Sequence, residues 1–243
     1  MKRPYFLKDI KKEFNAICSA NALALDFQPN KSEFQIFKNI FVDREYADYF
    51  PFYQSNCIID AGAHYGYFSL FAAINSQLGS RIIALEPSSS NLSQLKKNIE
   101  HNSHYCIEPL QKALTPCDGT VTLMEGRSVN HSLVANPLLQ VTRSIDVEGI
   151  SLGSLTRMYD LEKVDFLKMD IEGGEYQIIK ETPSEVFSKI QTISMEFHDL
   201  KDPRNNGNTL ISQIINLGYS IVKFHYEPTH FGLNYGKIIA TRP

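Results

Sequence analysis

Asp60, Gly62 and Gly66 stand in the stretch Ile59-Asp60-Ala61-Gly62-Ala63-His64-Tyr65-Gly66, directly after a short apolar run, and Glu86 closes the next such run, Arg81–Glu86. Glycines at 62 and 66 let the backbone turn sharply and approach a ligand. A carboxylate at the mouth of that turn would repel a pyrophosphate lying on the following helix N-terminus. The D-x-G-x-x-x-G spacing also departs from the G-x-G-x-x-G of dinucleotide sites. Asp60 suits instead a ligand carrying an ammonium and a sulfonium, as S-adenosylmethionine does. An acid at position 86 can accept hydrogen bonds from both hydroxyls of a ribose.

A second constellation lies further along the chain. Asp170 ends the strand-like stretch from Val164, and Glu196 and His198 stand near the end of the strand-like stretch from Ile190. Residues two apart on a strand share a face, so Glu196 and His198 point the same way. Neighbouring strands run about 4.8 Å apart, close enough for the three polar groups to meet. Their chemistry is proton removal from a weak nucleophile such as an aliphatic hydroxyl. His198 or Asp170 would be the base, with Glu196 orienting or binding the acceptor. His198 reads equally well as a hydrogen-bonded strand-end residue. Glu175 either complements the dipole of the helix it opens or takes part directly. Asp, Glu and His can hold Mg²⁺, but no spacing here requires a metal.

The elements that must position these residues alternate from residue 56 onward. Asn56–Asp60, Arg81–Glu86, Tyr105–Leu110, Val164–Asp170 and Ile190–Phe197 are strand-like, with Pro109 placing the third at an edge. Helix-like stretches at Tyr67–Gln77, from Ser90 to about His101, Gly174–Glu181 and Thr209–Leu217 separate them. This rhythm predicts an α/β fold, a mostly parallel sheet with helices on both faces. Tyr219–His225 and Gly236–Thr241 have no helix between them and are expected to pair as an antiparallel C-terminal hairpin at the sheet edge.

Two segments fall outside the rhythm. Residues 1–55 carry Phe6, Leu7, Ile10, Phe14 and Ile17 at helical spacing and read as an N-terminal helical extension: a helix packed on the sheet edge, or else a substrate lid, a dimer arm or a membrane-surface helix. Residues 56–243 form the main domain, interrupted at about 115–160 by an insertion with strand-like Gly119–Glu125 and Val141–Ile150. Polar Ser128, Asn130, His131 and Ser132, the Lys201–Gly207 loop and the Tyr226–Tyr235 loop are places where an acceptor could be recognised.

The balance of 24 Lys+Arg against 27 Asp+Glu argues against binding nucleic acid by bulk charge. Cys18, Cys57, Cys106 and Cys117 show no metal-ligand spacing. Charged residues break the N-terminal stretch, so no signal-peptide core is expected, and the longest apolar run, Leu70–Ile74, is too short to cross a bilayer. A cytoplasmic chain is the expectation.

Ile58–Gly66 resembles the first motif of class I S-adenosylmethionine-dependent methyltransferases. Leu167-Lys168-Met169-Asp170-Ile171-Glu172-Gly173-Gly174-Glu175 resembles the L-K-hydrophobic-D-hydrophobic-E-G-x-E signature of the FkbM family, and Glu196-Phe197-His198 is similar to the E-x-H that follows it. The resemblance runs from about Asn56 to Phe197. It implies a Rossmann-like O-methyltransferase using S-adenosyl-L-methionine, with hydroxyls of sugars or other natural products as acceptors. It implies cofactor contacts from Asp60, Gly62, Ala63, Gly66 and Asp170 toward the methionine end, and from Glu86 at the ribose. His64 replaces the asparagine common in that turn. Two rival readings keep the fold: a nicotinamide-dependent oxidoreductase, and a non-catalytic nucleoside-binding module.

Overall fold

The computed structural model describes residues 7–26, 30–47, 50–126, 131–132, 141–199, 205–227 and 234–243. Helices α1 (Leu7–Ala20) and α2 (Lys31–Phe41) are followed by a 3-10 turn (Phe52–Gln54). The main domain then runs β1 (Cys57–Ala61), α3 (Tyr67–Asn75), β2 (Arg81–Leu85), α4 (Ser89–Glu100) and β3 (Cys106–Leu110). Four strands follow: β4 (Ala113–Leu114), β5 (Gly119–Gly126), β6 (His131–Ser132) and β7 (Val141–Ile150). The chain closes with α5 (Leu152–Met158), β8 (Val164–Met169), α6 (Glu175–Glu181), α7 (Ser184–Phe187), β9 (Ile190–Asp199), α8 (Gly207–Asn216), β10 (Ser220–Glu227) and β11 (Asn234–Thr241).

Seven strands form the main sheet in the order β10-β11-β9-β8-β1-β2-β3. Pairing is parallel from β3 across to β9, and β11 is antiparallel to both β9 and β10. The C-terminal pair is thus a hairpin, but its second strand inserts between β9 and β10, so only β10 lies at the edge. Pro109 stands on β3, the opposite edge strand, where its missing N–H costs no ladder bond. The strand order reverses between β1 and β8, the topological switch point of an open parallel sheet.

β1 and β8 are buried on both faces, as their apolar runs require. One face, carrying Ile59, Ala61, Leu167, Met169 and Met195, packs with residues of α5, α6 and α8. The other, carrying Ile58, Ile82 and Phe166, packs with α3, α4 and the N-terminal helices. Phe50 and Phe52 lie on Phe166, with ring centroids 4.7 and 5.0 Å away. The main helical neighbour of α2 is α3. The N-terminal helices therefore build outward from the helical layer rather than along a sheet edge, because Phe34, Phe37 and Ile40 bury against Tyr67 and Phe71.

Within residues 115–160, β5 and β7 pair antiparallel and form a second sheet in the order β4-β7-β5-β6. Helix α5, not foreseen from the sequence, follows at once. The Ser151 side chain accepts from Ser154 N to start it, and Leu152 and Leu155 bury in the main core.

Candidate functional site

Asp60 and Lys168 stand opposite each other in the β1–β8 register, so their side chains share the face that also carries Phe166. Two residues on, Asp170 follows β8 on the same face. On β9, Ser194, Glu196 and His198 continue the row, and Lys237 of β11 is paired with Glu196. The result is a line of charged groups across the carboxyl ends of the central strands, beside the switch point.

Lys168 is the buried centre of that line. Its ammonium donates to Gly62 O at 2.9 Å and lies 3.3 Å from Asp60 Oδ1 and 3.9 Å from Asp170 Oδ2. Burial alone would lower its pKa, but Asp60, then Asp170, outweigh that and hold it above the ordinary lysine value. Asp60 is 0% exposed, and its other oxygen accepts from Ser69 Oγ at 2.6 Å. Asp60 thus lies fully buried beneath the β1–α3 turn, facing Lys168 and Ser69.

The turn itself is held by the protein. Gly62 N and Ala63 N both donate to Leu85 O, and Gly66 N donates to Ala63 O. The amide of Ala63 is therefore committed to β2, and Ala63 contributes shape rather than a donor. A Cβ on Gly62 would lie 1.9 Å from Asp170 O, and one on Gly66 2.4 Å from Leu95 Cδ1. Both have positive φ, +77° and +80°. Each glycine is therefore required by a close approach to neighbouring protein atoms. His64 and Glu172, in the loops after β1 and β8, also have positive φ, at 51° and 56°. Non-glycine residues in this region are uncommon and gather at functional sites.

Glu86 is buried just beyond β2. Its Oε2 accepts from His64 N at 2.8 Å and its Oε1 from Ser88 N at 2.9 Å. Burial pushes its carboxyl up to about 7 despite these hydrogen bonds.

On the other side of Lys168 the charges converge on His198. Its Nε2 lies 3.4 Å from both Glu172 Oε2 and Glu196 Oε1, and Nδ1 lies 3.8 Å from Glu175 Oε1. The last distance is an electrostatic contact rather than a hydrogen bond. Burial opposes the imidazolium, but Glu175, Glu196 and Glu172 together push its pKa up to about 12. These carboxylates favour the imidazolium form of His198, which donates rather than accepts a proton. Burial raises Glu172 to about 8, against the pull of His198, and raises Glu196 as well. Glu175 is buried and accepts from Ile171 N at 3.2 Å, fixing the turn into α6.

Asp170 remains the open carboxylate of the row, with its side chain 29% exposed. Its Oδ2 accepts from the hydroxyl of Tyr46 at 2.9 Å. Lys237 bridges Glu45 and Glu196, the latter at 3.3 Å, and burial lowers its pKa to about 8. Sequence reasoning missed Tyr46, Glu45 and Lys237, which carry no motif, and gave Lys168 no role. A lysine between Leu167 and Met169 in the β8 run was the available signal, since a buried charge demands a partner. Ser128, Asn130 and residues 201–204 and 228–233 lie outside the described residues, as do the side chains of His131 and Ser132.

Among the described residues, no group of three or more His, Cys, Asp or Glu is arranged to hold a metal ion. Nor is any helix among them long and apolar enough to cross a membrane.

The sheet order, the single antiparallel strand and the acidic row at the switch point define a class I methyltransferase fold. The model of the methyltransferase FkbM domain matches residues 60–221, and the chain belongs to that family. It is 30% identical over 195 residues to methyltransferase 1 of Beauveria bassiana (strain ARSEF 2860), covering 72% of this chain and 78% of that protein. It is 27% identical over 191 residues to methyltransferase sdnD of Sordaria araneosa, covering 66% and 73%. Magnesium protoporphyrin IX methyltransferase from Synechocystis PCC 6803, solved with bound SAM, aligns over 100% of both chains at 13% identity and a TM-score of 0.49.

Proposed function

We propose that this chain is an S-adenosylmethionine-dependent O-methyltransferase acting on a hydroxyl of a carbohydrate or secondary metabolite. The observation that carries the reading is the partly exposed Asp170 carboxylate beside the switch point, with the neighbouring histidine held as a cation. The residues suit the cofactor: Glu86 beside the Gly62–Gly66 turn can accept from a ribose diol, and the partly exposed Asp170 carboxylate can pair with a cationic group. When bound, S-adenosylmethionine supplies a methyl group made electrophilic by its sulfonium.

The chain's own residues do the rest. Asp170 accepts the acceptor's hydroxyl proton, with Tyr46 occupying Oδ2 and leaving Oδ1 for that task. Glu196 binds or orients the acceptor, and His198 supplies the counter-charge that keeps Glu196 and Glu172 in place. Holding the hydroxyl in line with the methyl group accounts for much of the acceleration. Residues 1–55 are read as an extension of the 56–243 domain, from which Glu45 and Tyr46 reach Lys237 and Asp170. The partly exposed Asp170 carboxylate, with Glu196 beside it, favours a small molecule or glycan over a phosphate backbone.

An assay for S-adenosylhomocysteine release across glycans, small hydroxyl compounds and RNA tests this reading. Release with a glycan or small hydroxyl compound is expected, and Asp170→Asn is expected to lower it about 100-fold or more. Release with RNA alone, or undiminished turnover in both D170N and H198A, would contradict it.

A further inference from the structure

Tyr46 stands on none of the motifs, yet it lies at the middle of the charged row. It is 6% exposed, and its ring packs edge-on against Phe68 at 5.8 Å. The ammonium of Lys168 lies 5.3 Å from its ring centroid and that of Lys237 lies 5.4 Å from it. Two cations on one ring are each attracted to its electron-rich face, at distances where that attraction is appreciable. Its hydroxyl donates to Asp170 Oδ2 at 2.9 Å. The preceding residue, Glu45, pairs with Lys237, which in turn reaches Glu196. Residues 45–46 therefore touch β8, Asp170 just beyond it, and β11, and reach Glu196 of β9 through Lys237.

We propose that Tyr46 is a positioning residue for methyl transfer, holding the Asp170 carboxylate in one orientation through its hydroxyl while its ring fixes Lys168 and Lys237 on either hand of the reacting site. The inference rests on the methyltransferase reading above. It differs from a purely structural role because a tyrosine hydroxyl is costly to bury: removal of the phenolic proton is strongly disfavoured by burial, then by Asp170 and Glu196, so the group stays a donor. A phenylalanine would fill the same space against Phe68 and keep both cation contacts. What only tyrosine adds is the hydrogen bond to Asp170. The charged groups around that carboxylate are Asp60 on β1, Lys168 on β8, Glu172 and Glu175 beyond it, Glu196 and His198 on β9, Lys237 on β11, and Glu45. Among them Tyr46 is the hydroxyl donor that fixes Oδ2.

The experiment is a double-mutant cycle of Tyr46→Phe and Asp170→Asn, read on kcat and on the acceptor's KM by S-adenosylhomocysteine release. Because Asp170 is 29% exposed, water can replace the lost donor and Y46F is expected to fold. Calorimetric affinity for S-adenosylhomocysteine, unchanged in Y46F, confirms an intact donor site. Y46F is expected to lower kcat about tenfold with KM altered less than about twofold, and to add less than about twofold once Asp170 is already Asn. Tyr53→Phe, at an exposed position, is the control and leaves kcat unchanged. The proposal is overturned if Y46F matches the parent enzyme, or if its loss is undiminished in the D170N background. Absence of methyl transfer by the parent enzyme to every acceptor overturns the functional reading itself, and this inference with it.

Discussion

Lys168 of β8 and Asp60 of β1 face each other in the sheet, their charges 3.3 Å apart and both buried beneath the turn that joins β1 to α3. The pair accounts for a buried lysine at position 168 of this strand. Lys168 neutralises Asp60, tethers the carbonyls of Ala61 and Gly62, and still reaches toward Asp170. One ammonium thereby links the β1–α3 turn to Asp170.

Breaking that pair from one side leaves a buried charge without its partner. Lys168→Met is expected to destabilise the chain by about 3–5 kcal/mol, measured by urea unfolding. Adding Asp60→Leu to K168M removes the orphaned charge, so the double variant is expected to be more stable than K168M alone. A double variant weaker than K168M would show that the two charges are not energetically paired.

Gly62→Ala meets two obstacles at once, a φ of +77° and a Cβ 1.9 Å from the Asp170 carbonyl. A loss of about 2–4 kcal/mol is expected, with S-adenosylhomocysteine affinity falling alongside stability. The same substitution at Gly79, where φ is +86° but no atom lies within 4 Å, isolates the backbone part and should cost less. Equal losses at the two positions would mean that the contact with Asp170 carries no weight.

Stability should fall as pH rises from about 5 to about 8. Burial raises Glu86 from 4.5 to about 7 and Glu172 from 4.5 to about 8, so each holds a proton in the folded chain that it loses in the unfolded one. His198, raised from 6.5 to about 12 by its carboxylate neighbours against the cost of burial, acts in the same direction above pH 6.5. A group whose folded pKa is raised stabilises fully below its unfolded value and loses that contribution as pH climbs toward the folded one. Thermal unfolding across this range checks the sign, and Glu86→Gln should flatten the slope. A melting temperature that rises with pH would contradict these environments.

Much of the sheet was legible because its strands are short apolar runs separated by helical ones, and Pro109 marked an edge. The place of β11 was not, because a hairpin's own sequence does not say which of its strands joins the sheet. The acids at the strand ends were legible as a set, but not their individual states. Asp60 is closed off by Lys168, which is distant in sequence, and the charge on His198 depends on carboxylates from the β8–α6 turn, α6 and β9. Tyr46 lies in a segment with neither motif nor strand periodicity, so only its contact with Asp170 reveals it.

Calorimetric titration with S-adenosylhomocysteine, set against the same titration with NADH, tests the central claim most directly. The missing tryptophan makes heat a better signal than intrinsic fluorescence. Saturable binding of S-adenosylhomocysteine, weakened by Glu86→Ala, with no binding of NADH, is the expected result. Tight binding of NADH with none of S-adenosylhomocysteine would contradict the account.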